Sequence, residues 1–175
     1  RIGRKLDIVS GGASSSYMRV LDGNIPEGIT NLRIGEEILL PQDLLYLYGY
    51  PLNGMYDDVF TLESQVIEVR DKPSYPVGEL GVDAFGHKPV YIDKGIRRKV
   101  LLAMGHLDYC DYKDLIPQDK DVEILGCSSD HTIMDVTDAP RTYHVGDIVK
   151  FNLIYGTNLF LCHSQNVQKV FIDEE

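Results

Sequence analysis

Apolar residues in the first fifty positions fall into short clusters separated by glycine, proline and polar residues. The apolar run at residues 7–10 ends in two glycines, which predicts a strand entering a tight turn. Three serines at residues 14–16 then supply caps for a short helix over residues 17–21. Residues 31–35 predict a second strand, and residues 36–47 a second helix. This alternation is typical of βα units with parallel strands, as in a parallel sheet or barrel.

Beyond a linker at residues 49–54 that is rich in Gly, Pro and Asn, the chain becomes strand-rich. Six runs of β-branched and other apolar residues are separated there by Gly, Pro and Asp turns. These runs are residues 59–69, 100–104, 122–125, 133–136, 148–155 and 167–172. They predict a β-domain of about seven to nine strands, either a sandwich or a barrel. The run at residues 100–104 does not alternate with polar residues, which favours cover on both of its faces.

The charge balance excludes two classes of partner. The chain has 17 Lys and Arg against 27 Asp and Glu, a formal net charge of −10. Binding to nucleic acid or to an anionic membrane needs clustered cations, so neither is expected. Residues 107–138 contribute −7 of that charge. This acidic stretch is either a solvated face or a field that attracts a cationic small molecule.

The cysteines indicate a reducing compartment. Cys110, Cys127 and Cys162 are far apart and odd in number, which argues against a disulfide framework. No spacing of Cys and His suits zinc, so no metal site is expected. A cytoplasmic location fits best.

The glycines and serines before the first helix are the first candidate chemistry. Glycine permits a close approach of the backbone, while a helix N-terminus and the hydroxyls of Ser14 and Ser15 present donors to an anion. The segment is therefore a candidate phosphate cradle, although such runs also occur in ordinary loops.

Arg33 lies within an apolar strand, where a guanidinium needs an anion or another acceptor unless it reaches solvent at the strand end. The candidate phosphate cradle and Arg33 each follow a strand, and the two strands belong to neighbouring βα units. They would therefore share the face of a barrel on which active sites form.

Two further polar segments allow either a functional or a structural interpretation. Asp130 and His131 lie in a loop between two predicted strands and form either a substrate clamp or a plain capped turn. His106 follows an apolar strand and either joins a site or is simply hydrogen-bonded.

Six strings of residues, in this order, resemble the alanine-racemase-type (fold-type III) pyridoxal-phosphate enzymes, most of all the branch that contains ornithine racemases. The strings are Ser10-Gly-Gly-Ala-Ser-Ser-Ser16, Asn31-Leu-Arg-Ile-Gly-Glu-Glu37, Gly54-Met-Tyr-Asp-Asp-Val-Phe60, Gly78-Glu-Leu-Gly-Val-Asp-Ala-Phe-Gly86, Gly126-Cys-Ser-Ser-Asp-His131 and Val145-Gly-Asp-Ile-Val149. The resemblance implies a mainly β chain. Residues 1–50 would be the last two βα units of a truncated (β/α)8 barrel that binds the cofactor, and residues 51–175 the C-terminal β-domain.

The resemblance also implies roles for particular residues. Ser14, with Ser15 beside it, matches the serine that holds the cofactor phosphate, and Gly35 matches a backbone contact to that phosphate. Arg33 matches the arginine that donates to the pyridine nitrogen. A pair at residues 129–130, Ser129 and Asp130, matches the residues that the β-domain offers to the partner subunit's active site, which implies a homodimer.

The lysine that binds the cofactor in this family lies on the first barrel strand, which this chain does not contain. Lys5 precedes the first predicted strand and has no feature of that role. We therefore expect the chain to be the C-terminal piece of a larger enzyme, with pyridoxal 5'-phosphate bound by the full-length parent, and to be inactive alone.

A second difference from the family, besides the missing lysine, concerns the catalytic base. The alanine-specific branch exchanges the substrate's α-proton through a tyrosine of the β-domain. The matching stretch, residues 77–86, has no tyrosine and carries Phe85 in its place. Asp83 is the first candidate for this role and Glu79 the second, with His87 also possible unless all three are surface or turn residues.

Three functions follow as expectations. The first is racemisation of a basic amino acid, ornithine or lysine, to which the acidic stretch would be suited. The second is another reaction of the same fold type, a decarboxylation or an aldol cleavage. The third is a non-enzymatic β-domain that mediates dimerisation or binds a ligand.

Overall fold

The computed structural model describes residues 3–82, 86, 88 and 90–172. The chain divides between Phe60 and Thr61 into two compact units. Among the described residues, every helix is too short or too polar to cross a membrane.

The first unit alternates short strands with short helices, as the sequence predicts. Its elements are β1 (Ser10–Gly11), α1 (Tyr17–Leu21), β2 (Asn31–Leu32) and α2 (Gln42–Tyr46), with 3₁₀ turns at Ser14–Ser16 and Glu36–Ile38. β1 and β2 pair in parallel, with Ser10 opposite Asn31. The predicted order of elements and the parallel pairing are both confirmed.

The helix expected over residues 36–47 is interrupted in its middle. Its first turn is the 3₁₀ turn Glu36–Ile38, and α2 begins only after Pro41, its N-cap residue. Proline has no N–H to donate and disfavours helical backbone in the residue before it, so a continuous helix cannot pass through this position.

The second unit is built mainly of strands. Its elements are β3 (Thr61–Pro73), β4 (Ile96–Leu102), α3 (His106–Tyr109), β5 (Ile116–Pro117), β6 (Glu123–Cys127), β7 (Thr132–Asp135), β8 (Ile148–Asn152) and α4 (Tyr155–His163), with a 3₁₀ turn at Tyr112–Asp114. The mainly β class is confirmed.

One curled, antiparallel sheet of six strands, a half-barrel, organises this unit in the order β5-β8-β3-β4-β7-β6. The 13 residues of β3 pair with β8 over their first part and with β4 over their second. Within the described residues the sheet is thus smaller than the seven to nine strands expected. β3 connects its two halves.

One face of the sheet carries the core. Leu62 and Val66 of β3, Val100 and Leu102 of β4 and Phe151 of β8 are at most 6% exposed. Val100 and Leu102 alternate with Leu101, which is half-buried, so the run at residues 100–104 is buried on one face instead of two. Burying each such side chain stabilises the fold by about 1.5–3 kcal/mol.

Two of the predicted strands are wrong in part or in whole. The run at residues 148–155 is a strand only to Asn152, and its end begins α4, whose Thr157 and Leu161 are buried at a spacing of four residues. Residues 167–172 have no regular secondary structure, and Phe171 is 92% exposed.

Neighbouring arginines on β4 make ion pairs of different burial. The Arg97 Nε donates to the Asp135 Oδ2 at 2.8 Å, and that carboxylate is 4% exposed. Thr137 donates to the same carboxylate through its backbone N–H and its hydroxyl. The Arg98 Nε donates to Asp71 at 2.9 Å, but that carboxylate is 52% exposed.

This difference gives a matched pair of variants. Arg97→Ala leaves the buried carboxylate of Asp135 without its cation, whereas Arg98→Ala strips a carboxylate that water can solvate. We expect the first variant to lower the free energy of unfolding, measured by urea denaturation, several times more than the second. Equal losses in the two variants would contradict this account of β4.

Candidate functional site

The first cluster of predicted site residues lies where β1 and β2 end. The Gly35 N–H donates to the Ser14 Oγ at 3.2 Å, and the Ser14 hydroxyl donates to the Glu36 Oε2 at 2.6 Å. Ser14 is 6% exposed. Because the two strands are parallel, the segments after them lie side by side, and the structure thereby brings two predicted phosphate contacts together.

The neighbours of this pair are open to solvent. Ser15 lies exposed in the 3₁₀ turn after β1, and Arg33 lies exposed directly after β2. Gly12 has φ of +75°, in the region that favours glycine, and a Cβ there would press on Leu32. The chain therefore presents donors and a glycine at this edge, a set that suits an anion such as a phosphate group. The Ser14 hydroxyl must turn away from Glu36 to donate to that anion.

Glu37, next to this cluster in sequence, is a buried acid that the sequence analysis missed. It is 2% exposed, and within the described residues its Oε2 has no hydrogen-bond partner. Burial, with the nearby carboxylates of Asp43 and Glu36, raises its pKa from 4.5 to about 7. Helical spacing contained the signal, since Glu37 precedes the buried Leu40 and Leu44 by three and seven residues.

The second cluster joins the start of α3 to the turn after β6. The N–H of His106 donates to the Ser128 carbonyl at 2.9 Å, and the N–H of Leu107 donates to the Ser129 carbonyl at 3.1 Å. A Cβ on Gly105 would collide with the backbone of Ser129 and Asp130. Glycine at position 105 therefore permits the close approach of the two segments.

Two buried side chains hold α3 in place behind this contact. The Asp108 carboxylate, 6% exposed, accepts from the Gly105 N–H at 3.0 Å and from the Ser164 hydroxyl at 2.9 Å. The Tyr109 hydroxyl lies 2.6 Å from the Thr132 Oγ1, which donates to the Met104 carbonyl at 2.8 Å. Burial is the main cause that raises the pKa of Tyr109. Both groups are committed to the fold and do not face solvent.

The predicted substrate residues of the β-domain lie on the open side of the same turn. Ser129 and Asp130 are exposed, and His131 closes the turn by donating its N–H to the Ser128 Oγ at 3.1 Å. His106 is half-buried beside them. The two strings that the sequence singled out separately, around residues 106 and 130, are therefore neighbours.

Of the predicted base candidates, Glu79 is the one that the structure describes. Glu79 is exposed in the connection between β3 and β4. Asp83, the first candidate, lies outside the described residues, as do Phe85 and His87.

Much of the acidic stretch at residues 107–138 is paired within the fold. Asp135 and Asp138 bind Arg97, Glu123 binds Lys94 at 2.9 Å, and Asp119 binds Arg141 at 2.9 Å. A general acidic field is therefore weaker than the sequence suggests. Asp130 is an exposed acid at a predicted substrate position.

The first test of this geometry concerns Gly105. Gly105→Ala must push the Ser129 backbone away, which costs about 1–3 kcal/mol in the free energy of unfolding measured by denaturant. Gly156→Ala in α4 meets open space and should be neutral or stabilising by less than about 1 kcal/mol. Equal effects of the two changes would show that the contact at residue 105 is loose.

The second test concerns Glu37. Because its pKa is raised in the folded state, the fold binds more protons than the unfolded chain between about pH 4.5 and pH 7, and stability falls as pH rises through that range. Glu37→Gln should remove this loss. The free energy of unfolding of the variant relative to the parent, measured by urea denaturation, should therefore rise by about 1–2 kcal/mol between pH 5 and pH 8. The exposed Glu27→Gln is the control. If the difference in stability between Glu37→Gln and the parent is the same at pH 5 and pH 8, the raised pKa of Glu37 is refuted.

Comparison with known proteins gives two close relatives in sequence. The chain is 50% identical to an ornithine racemase of Acetoanaerobium sticklandii over 165 residues, which is 94% of this chain and 46% of the racemase. It is 41% identical to a lysine racemase of Thermotoga maritima over 169 residues, which is 97% of this chain and 47% of that protein. No family model matches the chain.

Solved structures with the same fold include an alanine racemase from Oenococcus oeni, at a TM-score of 0.50 and 18% identity, covering 88% of this chain and 43% of that one. A D-threonine aldolase from Filomicrobium marinum has a TM-score of 0.52 and 15% identity, over 90% of this chain and 36% of that one. A weaker match, with a TM-score of 0.41, is an alanine racemase from Bartonella henselae that has covalently bound pyridoxal phosphate.

The structural likenesses concern the fold alone, and alanine racemases carry a C-terminal β-domain of this kind. The sequence identities go further, because they extend over nearly the whole chain. The resemblance expected from the six sequence strings is confirmed. This chain, which spans about half the length of the curated relatives it matches, is a homologue of the ornithine and lysine racemases.

Proposed function

We propose that this chain is part of a pyridoxal-phosphate-dependent racemase that interconverts the L and D forms of a basic amino acid, ornithine or lysine. The observation that carries the proposal is the 50% identity to an ornithine racemase over 94% of the chain. Since the chain matches under half of that protein, the proposed activity is that of the longer enzyme, and we expect the chain alone to be inactive.

In this proposal, residues 1–50 are the last two βα units of the cofactor barrel and residues 51–175 are the β-domain. The parallel pairing of β1 with β2 and the antiparallel half-barrel after Thr61 support such a division of roles. The three cysteines, each outside any disulfide, support a cytoplasmic location.

The first cluster suits the cofactor. Ser14, Ser15 and the Gly35 backbone would hold the phosphate, and Arg33 would donate to the pyridine nitrogen. Pyridoxal phosphate, when bound, withdraws electrons from the substrate's α-carbon and makes its proton easier to remove. A guanidinium cannot supply a proton to the ring nitrogen, so Arg33 would moderate that withdrawal and favour proton exchange over side reactions.

The second cluster suits the substrate. Ser129 and Asp130 are exposed on a turn that backbone hydrogen bonds join to the start of α3, and the Asp130 carboxylate suits the cationic side chain of ornithine or lysine. We propose that this turn faces the active site of the partner subunit in a homodimer. Proton exchange by Asp83, or next by Glu79, is the sequence-based part of the proposal.

The likeness to a D-threonine aldolase keeps aldol cleavage as a second candidate on the same fold. A non-enzymatic β-domain that mediates dimerisation or binds a ligand is the third. The three are separated by their products.

A chimera tests the proposal. In this chimera, the chain replaces the matching stretch of the Acetoanaerobium sticklandii ornithine racemase. Chiral chromatography then measures the interconversion of the L and D forms of ornithine, lysine and alanine. We expect inversion of ornithine or lysine at a rate at least about tenfold above that of alanine, and a sedimenting mass of two chains. Arg33→Ala should lower that rate at least about tenfold, whereas the exposed Arg19→Ala should not.

Other products would overturn the assignment. Carbon dioxide from ornithine would indicate a decarboxylase, and glycine with acetaldehyde from D-threonine would indicate an aldolase. A folded chimera that loads the cofactor and transforms none of these substrates would favour the non-enzymatic role. A preference for alanine would refute the basic substrate.

A further inference from the structure

We propose that two copies of this chain associate by exchanging strands. The C-terminal tail of one copy, residues 167–172, would bind as an added strand along the open edge of β3, residues 67–73, in the second copy. This inference goes beyond the proposed racemase activity and does not depend on it, because it concerns only how the β-domains of two copies meet. Its support is an unpaired strand edge, a groove along that edge and an exposed apolar tail.

The second part of β3 has a partner strand on one side only. β8 pairs with β3 from Thr61 to Gln65, whereas β4 pairs with β3 as far as Pro73. Among the described residues, no strand therefore lies beside the other edge of residues 67–73. Such an edge leaves backbone N–H and C=O groups available to another strand.

The hydrogen bonds of β4 show which backbone groups point to the open edge. The Val136 N–H donates to the Arg98 carbonyl at 2.9 Å, so the backbone groups of Arg98 point to β7 and away from β3. Asp71 lies opposite Arg98, and its own N–H and C=O therefore point away from β4. Val69, two residues earlier, has the same direction. Each of these two residues offers one donor and one acceptor to a further strand.

A groove follows the open edge. Its volume is about 520 Å³. Its lining consists of Ile67, Glu68, Val69, Arg70, Asp71 and Val145. Ile67 and Val145 are exposed there, so the groove offers apolar contacts besides its backbone groups. A strand rises about 3.4 Å per residue, and a segment of five or six residues therefore matches the length of this edge.

The tail has the properties of a strand without a neighbour. Val170, Phe171 and Ile172 are each at least 70% exposed, and the tail has no regular secondary structure. Branched and aromatic residues of this kind favour strands, but a strand needs a neighbour to satisfy its backbone groups. Three consecutive apolar side chains in water also indicate a contact surface.

A second copy is the occupant that these observations favour. The tail and the open edge are exposed in the same chain, so the contact joins two chains. The charges agree when the tail runs parallel to β3, because Lys169 then lies near Glu68 and the acidic residues 173–175 follow towards Lys72. In the antiparallel direction, Lys169 would meet Lys72 instead. Glu68 is 37% exposed in its ion pair with Lys72 and can still accept from Lys169.

The exchange is reciprocal, since each copy has both a tail and an open edge. Two identical contacts around a twofold axis give a closed dimer, and exchange of identical elements is a low-cost route to one.

The test compares the full 175-residue chain with a form that ends at Asn166. Sedimentation equilibrium should show a dimer of the full chain, and the dissociation constant of the shortened form should be at least about tenfold higher. Phe171→Ser should weaken the dimer in the same direction. Val90→Ser removes an apolar side chain of equal exposure from the connection between β3 and β4 and should change the dissociation constant less than about twofold. Circular dichroism checks that each form is folded.

Cross-linking identifies the partners of the contact. Labelled (¹⁵N) and unlabelled chains are mixed while dilute, concentrated together and treated with a carbodiimide, which joins an amine to a carboxylate. We expect linked peptides that join Lys169 to Glu68 and contain one labelled and one unlabelled half. Links of Lys169 to Glu68 only within one isotopic form would show that the chain binds its own tail, and would overturn the exchange.

Charge reversal tests the direction of the tail. Lys169→Glu and Glu68→Lys should each raise the dissociation constant of the dimer at least about threefold, and the double variant should recover most of the loss. A tighter dimer of Lys169→Glu would contradict the parallel direction.

Two results would refute the exchange and leave the racemase assignment standing. One is a full chain that stays monomeric at about 200 μM. The other is a shortened form that dimerises as tightly as the full chain. Conversely, a chimera that inverts neither ornithine nor lysine would overturn the racemase assignment without touching the exchange.

Discussion

The close approach of Gly105 to the backbone of Ser129 is the constraint on which the β-domain's candidate site depends. It lets two consecutive N–H groups at the start of α3 bond to two consecutive carbonyls of a turn more than 20 residues later. Any side chain at position 105 would separate the segments. Behind them, Asp108 connects α3 to Ser164 after α4, so the helices and the turn form one unit.

The first unit builds its cluster by a related principle. Parallel pairing of β1 and β2 sets the segments after the two strands side by side, and the Gly35 N–H then reaches the Ser14 hydroxyl. In both clusters, glycine and backbone hydrogen bonds position the polar side chains. Positions fixed in this way are suited to binding, since little conformational entropy remains to be lost when a ligand arrives.

The sequence predicted the parts of the fold that depend on local pattern. The βα order of the first unit and most strands of the second follow from apolar runs bounded by glycine and proline. The end of the run at residues 148–155 was missed because a short apolar segment fits a strand and a helix equally well. Leu101 was expected to be buried, but the sheet is covered on one face only within the described residues.

The sites were predicted less completely, because their contacts join distant residues. Arg97 pairs with Asp135 and Asp138, which lie about 40 positions away, so the acidic stretch looked more available than it is. His106 and Asp130 were both noted, but nothing local to either shows that they are neighbours. The most direct test of the proposed substrate site is a crystal structure of the ornithine racemase chimera with a bound ornithine analogue. An Asp130 carboxylate oxygen should lie within about 3.5 Å of the analogue's side-chain nitrogen, and a separation above about 8 Å would contradict the proposed substrate role of the turn after β6.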